Sequence, residues 1–326
     1  MDVNINELVV FCENRWGSGS YLKSLGNDIN NWLSNTTEEE REILIHLLKN
    51  FDYYPNRRAS QGVQEIHTRV EKELQSQIGT ENNIYNNVLF FPVTKKSGTK
   101  TSSQHIFDLY TLTNKITKYC CKTHMESVAN DPYKPFDHVE HIVFIDDMIG
   151  SGDTMKKFLK QTFEKFPFLK EKRLYLIVLE AFSNGIKIIK DFAQPTNIEI
   201  YYSKLHAKAF DDGHIFTGDK LEKAIQTIQQ LELKINDNDP KHVLGYKKSE
   251  ALMAFFHNTP NNTLSSFWKE NEVMGWKPLF RPRNDHIPNY MQSLPKESVD
   301  SLGKDKQKRD NINYGLKQKR AVNNGF

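Results

Sequence analysis

Three things are scarce in this 326-residue chain: cysteine, long apolar runs and a dominant sign of charge. The three cysteines are Cys12 and the neighbours Cys120 and Cys121. That spacing fits neither a zinc site nor a disulfide framework, and it points to a reducing compartment. No apolar stretch reaches the length of a membrane span, and the N-terminal residues lack a signal-peptide pattern. The expectation is a soluble, cytoplasmic protein. Lys and Arg number 44 against 41 Asp and Glu, so the chain as a whole is no polyanion binder by charge alone. The basic excess is local to the end of the chain, where Lys304 to Arg320 is basic and poor in apolar residues. A solvated tail is the expectation there, with nucleic-acid contact the alternative.

What is present centres on His141-Ile-Val-Phe-Ile-Asp-Asp-Met-Ile-Gly-Ser-Gly-Asp-Thr154. Ile142–Ile145 reads as a buried strand ending in the pair Asp146-Asp147. Ile149, Gly150, Ser151, Gly152, Asp153 and Thr154 form a short loop opening a helix that carries Met155, Leu159 and Phe163. Glycines permit a tight turn, the helix N-terminus offers unpaired N–H groups, and Ser151 and Thr154 add hydroxyls, which together suit a phosphate. The two carboxylates would repel that phosphate and suit the vicinal hydroxyls of a ribose.

Around this segment the chain alternates strand and helix. Val88–Val93, Arg173–Phe182 and Ile198–Tyr202 read as strands, with helices after Ser183 and over Leu221–Leu231. The pattern predicts an α/β fold with an open, mainly parallel sheet and helices on both faces. Ligands in such sheets lie beyond the carboxyl ends of the strands. Residues 1–85 read as an accessory helical region, with a capping box at Thr37–Glu40 and a second amphipathic helix from Val63 to Ile78. Residues 86–235 form the α/β core, 236–290 a closing hood, and 291–326 the basic tail.

Lys95, Lys96, Ser97, Gly98 and Lys100 follow the first core strand, and a loop of that chemistry suits a pyrophosphate. A plain solvated turn fits nearly as well. In the hood, Asn258, Thr259, Asn261 and Asn262 surround Pro260. Their amides and hydroxyl suit the edge of a base or acceptor, with Trp268 or Phe256 as a stacking face. A self-capped turn joining two segments is the equal alternative. His206 and His214 read as surface histidines, and Phe51, Tyr53 and Tyr54 as packing at a helix junction. No residue set reads as a metal site.

The 142–154 segment resembles the signature of the type I phosphoribosyltransferases: an apolar strand, two acids, two apolar residues and a small Thr/Ser/Gly loop. Phe144 and Gly150 depart from it, and purine-salvage members place a catalytic Asp where Gly150 stands. The Asn-Thr-Pro-Asn-Asn-Thr-Leu264 loop, Trp268 and Trp276-Lys-Pro-Leu-Phe-Arg281 further resemble phosphoribosyltransferase-like proteins of prokaryotic conflict systems, encoded beside reverse transcriptases in retrons. The resemblance implies a phosphoribosyltransferase core, with Asp146 and Asp147 catalytic. The donor would be phosphoribosyl pyrophosphate or a nucleotide, with Mg²⁺ bridging the pyrophosphate. It implies a toxic effector of anti-phage defence, whose partners include a reverse transcriptase and its RNA/DNA hybrid. A homo-oligomer is left open. The alternative is a nucleotide-sensing or scaffold subunit of a ribonucleoprotein defence complex, without turnover.

Overall fold

The computed structural model describes residues 4–79, 81–94 and 101–280. The chain opens with three helices, α1 (Ile5–Trp16), α2 (Leu22–Leu33) and α3 (Glu38–Lys49). The capping box forms as the sequence predicts. The Thr37 hydroxyl accepts the Glu40 N–H at 3.2 Å, and the Glu40 carboxylate accepts the Thr37 N–H at 2.8 Å. Asp52–Tyr54, expected within a helical region, is instead a short strand, β1, paired in parallel with Met253–Phe255. The partner lies some two hundred residues away, beyond the reach of local patterning.

Helix α4 (Asn56–Ile78) buries Val63, Ile66, Val70 and Leu74 and ends at Gly79, whose positive φ of 92° suits glycine. Although part of the expected N-terminal helical region, α4 packs on the sheet, away from α1 to α3. Five strands build that sheet: β2 (Val88–Pro92), β3 (His141–Ile145), β4 (Met148–Ile149), β5 (Arg173–Phe182) and β6 (Ile198–His206). Spatial order runs β2, β3, β5, β6, and every pairing is parallel. Strand β4 resumes the β3 edge along β5 after a break at Asp146-Asp147, with Met148 opposite Glu180.

Both faces of the sheet are covered, so its strands read as continuous apolar runs whose alternate residues enter different cores. Val143, Ile145, Tyr175 and Ile177 pack with α4 and α5 (Ser102–Thr113). Ile142, Phe144, Leu174 and Leu176 pack on the other face. That face is covered by α6 (Met125–Ala129), α7 (Pro135–His138), α8 (Asp153–Lys165) and α9 (Ser183–Ala193). The open parallel α/β sheet with helices on both faces is the architecture the sequence predicts.

A third core joins α1 to α3 with α10 (Asp219–Ile235) and with the segment from Leu244 to Phe280, which contains β7 (Met253–Phe255). The N-terminal helices and the hood therefore form one body. Trp32 Nε1 donates to the Ser266 carbonyl at 2.8 Å, and Phe51 stacks on Phe280 at 4.4 Å. The β1–β7 pair ties this body to α4 and the sheet. Among the described residues, no helix is long and apolar enough to cross a membrane.

Candidate functional site

The site begins where β3 stops. After Ile145 the backbone turns out of the ladder, and the Asp147 carbonyl accepts the Leu179 N–H at 3.0 Å. The pair sits at the carboxyl end of a central strand, where parallel sheets place ligands. Asp146 and Asp147 are only 7% and 6% exposed. Asp146 Oδ1 accepts the Ser103 hydroxyl at 2.7 Å and the Asp147 N–H at 2.9 Å, while Asp147 Oδ1 accepts the Met148 N–H at 2.9 Å. Ser103, in the first turn of α5, spends its hydroxyl on the acidic pair. Burial, and then the charge of Asp147, pushes the Asp146 carboxyl well above the usual carboxylate range. Among the described residues no cation pairs with either carboxylate. Two adjacent buried acids with no counter-charge are costly, and hydroxyl donors from a ligand would relieve them.

Ile149 lies in β4, and Gly150 to Gly152 lead directly into α8. Gly152 is left-handed at φ 82°, and a Cβ there would come within 2.9 Å of the Gly185 carbonyl. The N-cap residue Gly152 has no side chain to cap α8; the Ser151 hydroxyl accepts the Asp153 N–H at a long 3.5 Å, and the other first-turn N–H groups have no side-chain cap. Ser151 Oγ donates to Asp153 Oδ2 at 2.7 Å, and Lys247 of the hood reaches the same oxygen at 2.6 Å. That pairing holds the Asp153 carboxyl below its ordinary range and brings an ammonium to the loop. Thr154 is exposed.

The hood closes over this end of the sheet. A Cβ on Gly150 would meet the Asn262 amide at 2.6 Å, so the residue that departs from the signature is where the hood touches the loop. The Asn258–Thr263 backbone is a structural turn. Phe255 N–H donates to the Asn258 carbonyl at 2.9 Å, Ala251 N–H to the Asn262 carbonyl at 3.1 Å, and Thr263 Oγ1 to the Met253 carbonyl at 2.6 Å. Thr259 is buried at 2% exposure. The half-buried side chains of Asn258, Asn261 and Asn262 make no hydrogen bond among the described residues and remain available to a ligand. Trp268 does not supply a stacking face. It is buried, and its Nε1 donates to the Thr263 carbonyl at 2.9 Å.

His257 is the site residue that the sequence reading passed over. Both ring nitrogens are sealed from solvent without a hydrogen-bond partner. The ring stacks on Phe255 at 5.6 Å, meets Phe256 edge-on at 4.8 Å and lies 5.2 Å from His105 of α5. Burial depresses its pKa to about 4 even though the Asp147 charge opposes this, so the ring is neutral at neutral pH. Its adjacency to the exposed-looking Asn-Thr-Pro loop hid it; the only local signal was its place after the apolar run Met253–Phe256.

His206, expected at the surface, is instead buried: Nδ1 lies 3.1 Å from Glu180 Oε2, and Nε2 accepts the Leu252 N–H at 3.1 Å. Asp52, Glu180 and His206 lie close enough to suggest a metal cluster. Their lone pairs are already taken: Tyr54 donates to Glu180, while Lys204 and Arg58 bind Asp52, the latter at 2.9 Å. A cation there would have to displace two others. Lys95, Lys96, Ser97, Gly98 and Lys100 lie outside the described residues, as does the basic tail.

A search of curated proteins finds no match. The family profile designated PRTase-CE matches residues 29–282, a span that runs from within α2 through the acidic pair to the end of the hood. The chain belongs to the PRTase-CE family and is phosphoribosyltransferase-like.

Proposed function

We propose that the chain is a phosphoribosyltransferase-like glycosyltransferase acting at a ribosyl C1, with phosphoribosyl pyrophosphate or a related nucleotide as donor. The observation that carries this reading is the Asp146-Asp147 couple, without a cation among the described residues, running through a glycine-tight loop into the N-terminus of α8, whose N-cap is a glycine. The carboxyls take the vicinal ribose hydroxyls. The α8 N-terminus with Ser151 and Thr154 takes the 5-phosphate, which fixes C1 beneath the hood.

The C1–O bond breaks, its electron pair leaves with pyrophosphate, and C1 passes through an oxocarbenium-like state. The acceptor bonds to C1 and gives up one proton. His257 is the neutral imidazole at hand to receive that proton; burial weakens it as a base and the Asp147 charge partly offsets this, while Asn258, Asn261 and Asn262 are suited to hold the acceptor. The acceptor class is a base, a nucleotide, a macromolecule or water. Mg²⁺, if bound with the donor, would supply counter-charge to the departing pyrophosphate. The Asp52, Glu180 and His206 cluster, already holding cations, does not fit it.

The hood loop and the closing Trp276-Lys-Pro segment support a cytoplasmic toxin effector of a bacterial retron defence system. Its partners would be the reverse transcriptase and its RNA/DNA hybrid, and self-association is compatible with this role. A second reading is a nucleotide-sensing or scaffold subunit of such a ribonucleoprotein. The near-complete burial of both carboxylates, with Asn262 against Gly150, favours it, because donor entry requires the hood to shift.

Phosphorus NMR with Mg²⁺, phosphoribosyl pyrophosphate and pooled nucleobases and nucleotides tests the proposal. Pyrophosphate release by wild type and not by an Asp146→Asn/Asp147→Asn variant is expected. Line broadening without release supports the sensor, and unchanged spectra remove this donor.

A further inference from the structure

Between the end of α1 and the first turn of α4 lies a cavity of about 420 Å³, lined by Arg15, Trp16, Ser18, Arg57, Arg58 and Gln61 among others. Three guanidinium groups share its wall, and no carboxylate lines it. The charge behind the wall does not balance them. Asp52 pairs with Arg58 at 2.9 Å and Arg15 at 3.6 Å, and Lys204 binds it as well, so one carboxylate serves three cations. Glu13, at the end of α1, accepts the Ser18 hydroxyl at 2.9 Å. Arg57 is exposed and makes no hydrogen bond or ion pair among the described residues. With Glu180 buried beside Asp52, four cations meet three acids.

The two inner arginines are held in place without exhausting their donors. Arg15 donates from Nε to the Phe51 carbonyl at 2.9 Å and from Nη2 to the Asn50 carbonyl at 3.2 Å. Arg58 donates to the Tyr53 carbonyl at 2.8 Å, and its guanidinium lies 4.4 Å over the Tyr54 ring. Each guanidinium carries five N–H groups in a rigid fork, which leaves donors for an anion and matches phosphate geometry. Fixing them beforehand lowers the entropy lost on binding. The first turn of α4, bearing Arg57 and Arg58, has no capping side chain at Pro55 and adds its own N–H groups.

We propose that this cavity binds a small polyphosphate anion of the nucleoside di- or triphosphate class, at a site separate from the acidic pair. Its volume lies within the range of about 300–1,000 Å³ typical of small-molecule sites, which is more room than a lone phosphate needs. The absence of a carboxylate on the wall distinguishes it from the diol-binding site at β3.

Titration calorimetry of the full chain with ATP, and separately with inorganic triphosphate, tests this. Two variants accompany the wild type: Arg57→Glu in the cavity, and Thr154→Asp at the phosphate loop. Both new acids fall in the first turn of a helix, where negative charge is favourable, so each variant keeps its fold. Wild type and Thr154→Asp should bind, and Arg57→Glu should bind at least roughly tenfold more weakly, as loss of a charge-assisted hydrogen bond predicts. Equal binding by Arg57→Glu and wild type, or loss confined to Thr154→Asp, overturns the proposal and leaves the reading of the acidic pair intact. So does the absence of any heat with either anion.

Discussion

Two buried acidic centres in this molecule are built on opposite principles. Glu232 of α10 is wholly buried and fully served: its carboxylate accepts the Leu244 N–H at 2.6 Å, the Ser266 N–H at 2.8 Å and the Ser266 hydroxyl at 2.9 Å. It staples α10 to two points of the hood, Leu244 and Ser266. Asp146 and Asp147 are almost as buried, yet they stand side by side, and among the described residues Ser103 is the one hydroxyl donor and no cation pairs with them. The first arrangement gives three donors to one carboxylate; the second spreads three donors over two adjacent carboxylates and adds their mutual repulsion. A protein keeps an uncompensated pair of like charges where something other than stability selects for it, which is the physical argument for placing function at β3 and structure at α10.

The sharpest break in that comparison comes from removing the staple. Glu232→Ala strands three buried donors and should cost about 3–5 kcal/mol in urea unfolding, by the rule for unsatisfied buried groups. Burial raises the Glu232 carboxyl to about 7, above its ordinary value near 4.5. The folded state therefore binds a proton that the unfolded state has already released. Stability from this group is complete below about pH 4.5 and is lost as pH rises toward 7. A Glu232→Gln variant lacks that titration, so its deficit relative to wild type should be larger at pH 5 than at pH 8. A constant deficit would mean that the donors already hold Glu232 ionised.

His257 carries the next effect. His257→Phe keeps the ring packing and has no hydrogen bond to lose, so it should unfold within about 1 kcal/mol of wild type, yet slow pyrophosphate release about 10²-fold, the lower range for a lost general base. Because the ring stays neutral down to about pH 4, wild-type release should lack a descending acid limb from this group above pH 5. A large stability loss with unchanged release would make His257 a packing residue.

How far the sequence discloses these features depends on whether the signal is local. Ile142–Ile145 and Arg173–Phe182 are legible because a strand buried on both faces needs an unbroken apolar run. The capping box and the Gly79 stop are legible because caps act over a few residues. The acidic pair is legible because carboxylates interrupt an apolar run just before a glycine-rich turn. Strand β1 was not, since its partner β7 is remote and Asp52-Tyr-Tyr54 alternates too briefly. Nor was the burial of His206, which Glu180 and the Leu252 N–H determine from other parts of the chain. His257 was hidden for the same reason: its neighbours Asp147 and His105 come from two other segments.

The smallest effect reverses the usual sign. Asp146→Asn keeps an oxygen to accept the Ser103 hydroxyl and the Asp147 N–H while removing one of two adjacent buried charges. Burial and Asp147 hold the Asp146 carboxyl well above its ordinary value, so ionising it in the folded state opposes folding, and that cost grows as pH rises. The asparagine variant should be more stable than wild type at pH 8, with the gain shrinking toward pH 4. The same variant should lose binding of the ribosyl donor. A gain in melting temperature together with a loss of function would mark Asp146 as a group kept against the interest of the fold. Destabilisation at every pH would instead place Asp146 with Glu232, as a staple between β3 and α5.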